Sequence, residues 1–187
     1  VWFHGENLWW LFRTRDFIPE YDKIYCVSEP VRKQVIARFP ELADRTEVLL
    51  NFIDIKQVQR RSEEPLSDPQ YTGELKFLTV GRASEEKGYD IAVQITAELK
   101  KRGLRFKWFI IGDGRDLNKL RTMAKEYQVE QEIIFLGMRE NPAPYVKSCD
   151  LYLQPSRHEG YPITIVEARS LQKVIIASDI PSMREQI

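Results

Sequence analysis

The sequence predicts an α/β fold: a Rossmann-like, doubly wound parallel sheet. Two observations predict it. From Lys76 onward, short apolar runs alternate with stretches whose apolar residues recur at helical spacing. The run 110–114, IIGDG, then has the form of a Gly-rich turn from a strand into a helix. Alternating strands and helices imply right-handed crossovers and a mostly parallel sheet covered on both faces.

The elements follow in order. Residues 21–28 (YDKIYCVS) read as a strand, 31–39 as a helix and 47–50 as a strand. Residues 60–74 (RRSEEPLSDPQYTGE) are rich in charge, Pro and Ser, the composition of a linker or surface excursion. Residues 76–81 (KFLTVG) form the next strand. Residues 88–102 form a helix, with Ile91, Ile95 and Leu99 as its stripe. Strands at 106–112, 132–137, 150–154 and 174–178 alternate with helices at 117–127, 143–147 and 163–171. Residues 182–187 read as the opening of a further helix. The expected organisation is therefore 1–54, the end of one Rossmann-like domain; 55–74, a linker; and 75–187, most of a second.

Composition limits the function classes. Lys plus Arg and Asp plus Glu each number 28, so the formal net charge is zero. That balance argues against a protein that grips nucleic acid through its phosphates. A small anion needs only two or three cations. Cys26 and Cys149 lie in apolar stretches and read as buried, unpaired thiols, and no metal-ligand spacing is present. No apolar run approaches the ~18 residues of a membrane span.

Four places carry candidate chemistry. The segment 81–88, GRASEEKG, lies where a strand ends and a helix begins, the side of a parallel sheet on which ligands bind. Ser84 is the expected N-cap and Lys87 falls in the first turn. Cations there are unfavourable unless an anion joins them, so Arg82 and Lys87, beside Gly81, suggest a diphosphate site. The alternative is a solvated loop in which Glu85 and Glu86 pair with the two cations. The second place is 158–167, HEGYPITIVE. Glu159 and Glu167 stand seven residues apart, Gly160 permits close approach of the backbone, and Pro162 suits the first helical position. Backbone N–H groups around Gly160 and Tyr161 would stabilise a phosphate or sugar, and the Glu167 carboxylate would hold a ribose diol. As alternatives, Glu159 offsets a helix dipole and Glu167 is an exposed helix residue.

The third place is the pair of strand-to-helix turns at Gly112 and at 135–139 (FLGMR), where the backbone at Met138 faces a nucleobase or simply turns. The turn at Gly112 lacks the third glycine of the dinucleotide fingerprint. The fourth is His4, at the end of the apolar run Val1–Phe3; its plainer reading is a structural residue. Trp2, Phe3, Trp9, Trp10 and Phe12 read as packing.

Taken together, these segments resemble the family 4 glycosyltransferases, retaining enzymes of the GT-B fold. The resemblance runs through Val80-Gly81-Arg82 with Lys87-Gly88, then Ile111-Gly112-Asp113-Gly114 and Phe135-Leu136-Gly137. It continues in Cys149-Asp150, Ser156, Glu159-Gly160 and Glu167-Ala168, and upstream in Val27-Ser28-Glu29, Asn51-Phe52-Ile53-Asp54 and Phe3-His4. It implies that Arg82 and Lys87 bind the diphosphate and stabilise the leaving group. Glu167 would hold the ribose; Glu159, Gly160 and Tyr161 would contact donor sugar and phosphate; His4 would line the sugar site. No carboxylate nucleophile is implied.

It further implies a UDP- or GDP-sugar donor, no metal and no other cofactor. The acceptor would be a saccharide or a lipid-linked one, in polysaccharide or lipopolysaccharide synthesis. The location would be cytoplasmic, with peripheral contact to the inner membrane face through the N-terminal domain. Most of that acceptor domain, and the closing strand and helix, are expected to lie outside this chain, which is then expected to bind nucleotide weakly and not to turn over alone. The competing readings are a nucleotide-sugar 2-epimerase, whose acid/base set would differ, a non-catalytic nucleotide-sugar-binding module, and, weakest, a dehydrogenase.

Overall fold

The computed structural model describes residues 2–4, 20–73 and 75–187. Trp9, Trp10 and Phe12 lie outside them. Contacts divide the chain into two units: Val1–Phe52 with His158–Ile163 and Asp179–Ile187, and Ile53–Arg157 with Thr164–Ser178.

The first unit holds a parallel sheet of three strands, β1 (Trp2–Phe3), β2 (Ile24–Cys26) and β3 (Thr46–Val48), in that order. Helix α1 (Glu29–Arg38) follows β2. Its N-cap is Ser28, whose hydroxyl accepts from Val31 N at 3.4 Å. The Glu185 carboxylate, just after the short helix at Pro181–Arg184, accepts from Glu29 N at 3.2 Å. Two acceptors thus serve donors that no helical carbonyl reaches. Val31 and Val35 face inward onto Ile24, Cys26 and Val27, with Phe39 and Leu42 closing the cluster.

In the second unit, helix α2 (Ile55–Ser62) precedes a five-stranded parallel sheet: β4 (Lys76–Val80), β5 (Lys107–Ile111), β6 (Ile133–Gly137), β7 (Leu151–Gln154) and β8 (Val174–Ala177). The helices between them are α3 (Tyr89–Lys101), α4 (Leu117–Glu126), α5 (Ala143–Ser148) and α6 (Ile163–Ser170), and α7 is the Pro181–Arg184 helix of the first unit. The strand order is β6-β5-β4-β7-β8, all parallel. The order reverses between β4 and β7, which makes their carboxyl ends the switch point at which open α/β sheets bind ligands.

Central strands are buried on both faces. Phe77, Leu78 and Thr79 of β4 and Trp108, Phe109 and Ile110 of β5 are all buried, and α3 adds Tyr89, Ala92 and Val93. Buried polar atoms in this sheet are matched. Trp108 Nε1 donates to Thr79 Oγ1 at 2.9 Å, and that hydroxyl donates to Leu153 O at 2.7 Å. Both cysteines are buried and free, and burial pushes each thiol up to about 11. Neither is a nucleophile at neutral pH.

Two expectations need correction. The stretch drawn as linker, 55–74, begins with a helix whose N-cap is Asp54, accepting from Gln57 N at 2.9 Å, and it groups with the second unit. Its later part is anchored rather than loose: Tyr71 is buried against the Phe109 ring, 4.5 Å between centroids, and donates to Tyr145 O at 2.9 Å. Further on, residues 158–163 and 179–187 group with the first unit, so 75–187 is not a continuous domain.

Candidate functional site

Three loops at the carboxyl ends of β4, β5 and β6 frame a cavity of about 640 Å³ in the second unit. It is lined by Gly81, Arg82, Gly112, Asp113, Met138 and Arg139, among others. Backbone stitching sets its floor. Ala83 N donates to Asp113 O at 2.9 Å, and Asp116 N to Ala83 O at 3.1 Å. Gly112 adopts φ +139, and a Cβ there would overlap the Gly81 carbonyl oxygen. Only glycine meets both demands. The β4 and β5 loops therefore present backbone to the cavity where Gly81 and Gly112 meet.

Arg82 stands exposed on the lining and makes no ion pair among the described residues. Of the sequence alternative, in which Glu85 and Glu86 pair with Arg82 and Lys87, the structure shows Glu86 within the electrostatic reach of Arg82 but in no ion pair with it. Glu86 instead faces Arg115, at 4.0 Å, and a hydrogen bond from Ser84 is the first of several interactions holding its carboxyl below the usual range. The stem of Lys87 runs beside Gly81, its Cε 3.7 Å from where a Cβ would stand. The Lys87 stem thus borders Gly81, which lines the cavity together with Arg82. Ser84 does not cap α3: it precedes a 3-10 turn at Glu85–Lys87, and Gly88 in the left-handed region caps the helix itself. A Cβ on Gly88 would overlap Pro155 O, so the start of α3 presses directly on the loop after β7.

That loop is clamped from both sides. Arg157 grips Asp90 with two bonds, 2.7 and 2.6 Å, and also donates to Glu85 O at 3.0 Å. The hydrogen bond from Arg157 is the main reason the Asp90 carboxyl lies below its usual range. Beneath it, Tyr152 OH donates to Gln154 Oε1 at 3.3 Å and Gln154 Nε2 to Ser156 Oγ at 3.0 Å, all three residues buried.

Glu167 does not line the large cavity. It opens on a neighbouring one of about 240 Å³ with Asp54, Arg61 and Asn141, and Pro142 borders both. The side chain is partly buried, and desolvation raises its pKa against the opposing pull of Arg61. The alternative of an exposed helix residue does not hold for it. The remaining sequence candidates group with the first unit. Glu159 is only 8% exposed and Gly160 is buried. Tyr161 packs on the core cluster, its carbonyl accepting from Asn51 Nδ2 at 3.1 Å. His4 is exposed after β1, its ring 4.5 Å from that of Trp2.

So one cavity gathers Gly81, Arg82, Gly112 and Met138, with Lys87 beside it. Sequence reasoning reached Arg139 only as the end of the turn 135–139 and missed its pairing, as it missed the Arg157–Asp90 clamp. Arg157 adjoins the quoted motif, but its partner is 67 residues away. Among the described residues, no three His, Cys, Asp or Glu side chains gather as metal ligands. Nor is any helix there long and apolar enough to cross a membrane.

Comparison with known proteins adds several likenesses. The family described as "Glycosyl transferases group 1" matches residues 61–187. The uncharacterized glycosyltransferase MJ1059 of Methanocaldococcus jannaschii is 30% identical over 165 residues, covering 86% of this chain and 40% of that protein. The lipopolysaccharide outer core galactosyltransferase WaaB, solved in its apo form, is 29% identical with a TM-score of 0.67, over 91% of this chain and 47% of WaaB. HepE of Anabaena, solved with UDP and glucose, superimposes with a TM-score of 0.82 at 19% identity, over 95% of this chain and 50% of its own, a likeness of fold. The chain spans about half the length, or less, of these relatives.

Proposed function

The chain belongs to the group 1 glycosyl transferases, and from that premise we propose that its second unit holds the donor nucleotide of a retaining, metal-independent sugar transferase of family 4. The fold is the parallel-sheet, Rossmann-like α/β type of GT-B glycosyltransferases. One observation carries the site: Arg82 lines a glycine-floored cavity at the carboxyl end of the sheet, and the stem of Lys87 runs beside Gly81 on that lining.

The chemistry follows from charge. As the bond between the anomeric carbon and the diphosphate oxygen breaks, negative charge grows on the leaving group. Fixed cations beside it stabilise that charge more than they stabilise the substrate. Arg82 would bind the diphosphate with its planar fork and Lys87 as a point charge. The β5 and β6 loops, at Gly112 and Met138, would take the nucleobase. Glu167 would accept from the ribose hydroxyls. For Glu159, Gly160, Tyr161 and His4 the proposed roles are those the family resemblance implies, contacts to the donor sugar and its phosphates.

The acceptor proposed is a saccharide or a lipid-linked saccharide, in cell-surface polysaccharide or lipopolysaccharide synthesis in the cytoplasmic compartment. The likeness to WaaB supports that class.

Titration calorimetry of UDP and GDP tests the site. Arg82→Ala is expected to weaken the preferred nucleotide by about 1.5–3 kcal/mol, the size of hydrogen bonds to a charged group. Undiminished binding by that variant would remove Arg82 from the site.

A further inference from the structure

One constellation outside the expected site touches it from behind. Asp68 lies between α2 and β4, in a segment without regular structure, yet its side chain is only 9% exposed. Its Oδ2 accepts from Arg139 Nη2 at 2.7 Å, from Arg139 Nε at 3.1 Å and from Tyr145 OH at 2.9 Å. Oδ1 accepts from Gln70 N at 3.0 Å. Burial alone would raise this carboxyl, but the bonds from Arg139, Gln70 and Tyr145 outweigh it and hold the group ionised below its ordinary range. A buried carboxylate persists only when paired this fully.

Arg139 is the other half. It lines the large cavity, and most of its guanidinium is engaged: Nε and Nη2 on Asp68, Nη1 on the carbonyls of Leu136 and Met138, the latter at 3.1 Å. What it does is tie both sides of the turn at Gly137, a residue at φ +75, and so fix the path of the chain after β6. Met138 sits on that path, 73% exposed on the cavity lining. Tyr145, on α5, braces the arrangement, and Tyr71 packs on it at 5.0 Å.

We propose that Asp68 is a positioning residue for nucleobase recognition: through Arg139 and Tyr145 it holds the β6 loop so that Met138 meets the base. It thereby sets how tightly and how selectively a nucleoside diphosphate binds. This rests on the donor-site reading above. Asp68 touches no ligand; it acts on the loop. The expected signature is confined to the base, because Arg82 and Lys87 on the β4 side are independent of Asp68.

The test is calorimetry of UDP, GDP and inorganic pyrophosphate with the full chain, with Asp68→Asn and with Tyr145→Phe. Asp68→Asn should weaken the preferred nucleotide on the order of tenfold, since charged hydrogen bonds are lost. It should narrow the preference between UDP and GDP several-fold and leave pyrophosphate unchanged. Tyr145→Phe, which removes a hydroxyl that donates to Asp68 and accepts from Arg139 Nε, should act in the same sense by about threefold, and it decides the matter if Asp68→Asn does not fold. Equal weakening of pyrophosphate and nucleotide, or no change in either variant, would overturn the positioning role while leaving the donor site standing. Failure of the unaltered chain to bind either nucleotide would overturn the donor site, and this proposal with it.

Discussion

Replacing Gly112 by alanine tests the floor of the cavity. At φ +139 an L-residue carries backbone strain of about 1–3 kcal/mol. The new Cβ would also overlap the Gly81 carbonyl, and relieving an overpacked contact against rigid backbone costs about another 1–3 kcal/mol. The expected loss is therefore about 2–6 kcal/mol. Gly103 supplies the control. It sits at φ +80 with open space around the position a Cβ would take, so Gly103→Ala carries the strain alone, about 1–2 kcal/mol. Urea unfolding followed by tryptophan fluorescence reads both, with Trp108 buried in the same sheet as a reporter. The difference between the two variants isolates the approach of the β4 and β5 loops. If Gly112→Ala costs no more than Gly103→Ala, those loops are not in backbone contact and the cavity floor is misassigned.

Two further outcomes are expected. Burial raises the Glu167 pKa, so the folded chain holds its proton more tightly than the unfolded chain does, and this group's contribution to stability falls as pH rises from the unfolded value through the folded one. Glu167→Gln should accordingly leave stability at pH 7 unchanged or raised in thermal melts, while weakening nucleotide binding in calorimetry about tenfold; a destabilised variant with intact binding would make the residue structural. Thr79→Val strips the buried Trp108 Nε1–H of its acceptor and should cost about 1–3 kcal/mol by chemical denaturation, whereas a loss under about half a kcal/mol would mean that bond contributes little.

What the sequence made legible is what period and local chemistry encode. The strands β4, β5 and β7 appear as short apolar runs because central parallel strands are buried on both faces, and the helices between them carry visible stripes. Helix α2 is hard to see because residues 55–62, IKQVQRRS, offer only Ile55 and Val58 as apolar positions; the Asp54 cap is the one local signal. Ser84 has the form of a cap for α3, but the 3-10 turn and Gly88 intervene. The site is legible where glycines and cations cluster, at Gly81, Arg82 and Gly112. It is not legible where a side chain finds its partner far along the chain. Asp68 and Arg139 are 71 residues apart, and nothing near either predicts the other. The grouping of residues 158–163 and 179–187 with the first unit is likewise a long-range outcome that local composition does not encode.

A crystal structure of the chain with the tighter-binding of UDP and GDP tests the central claim most directly. The account predicts the diphosphate against Arg82 and Lys87, beside the Gly81 backbone, and the base between the Gly112 turn and Met138. A nucleotide bound elsewhere, with the cavity at the ends of β4, β5 and β6 left open, would contradict it.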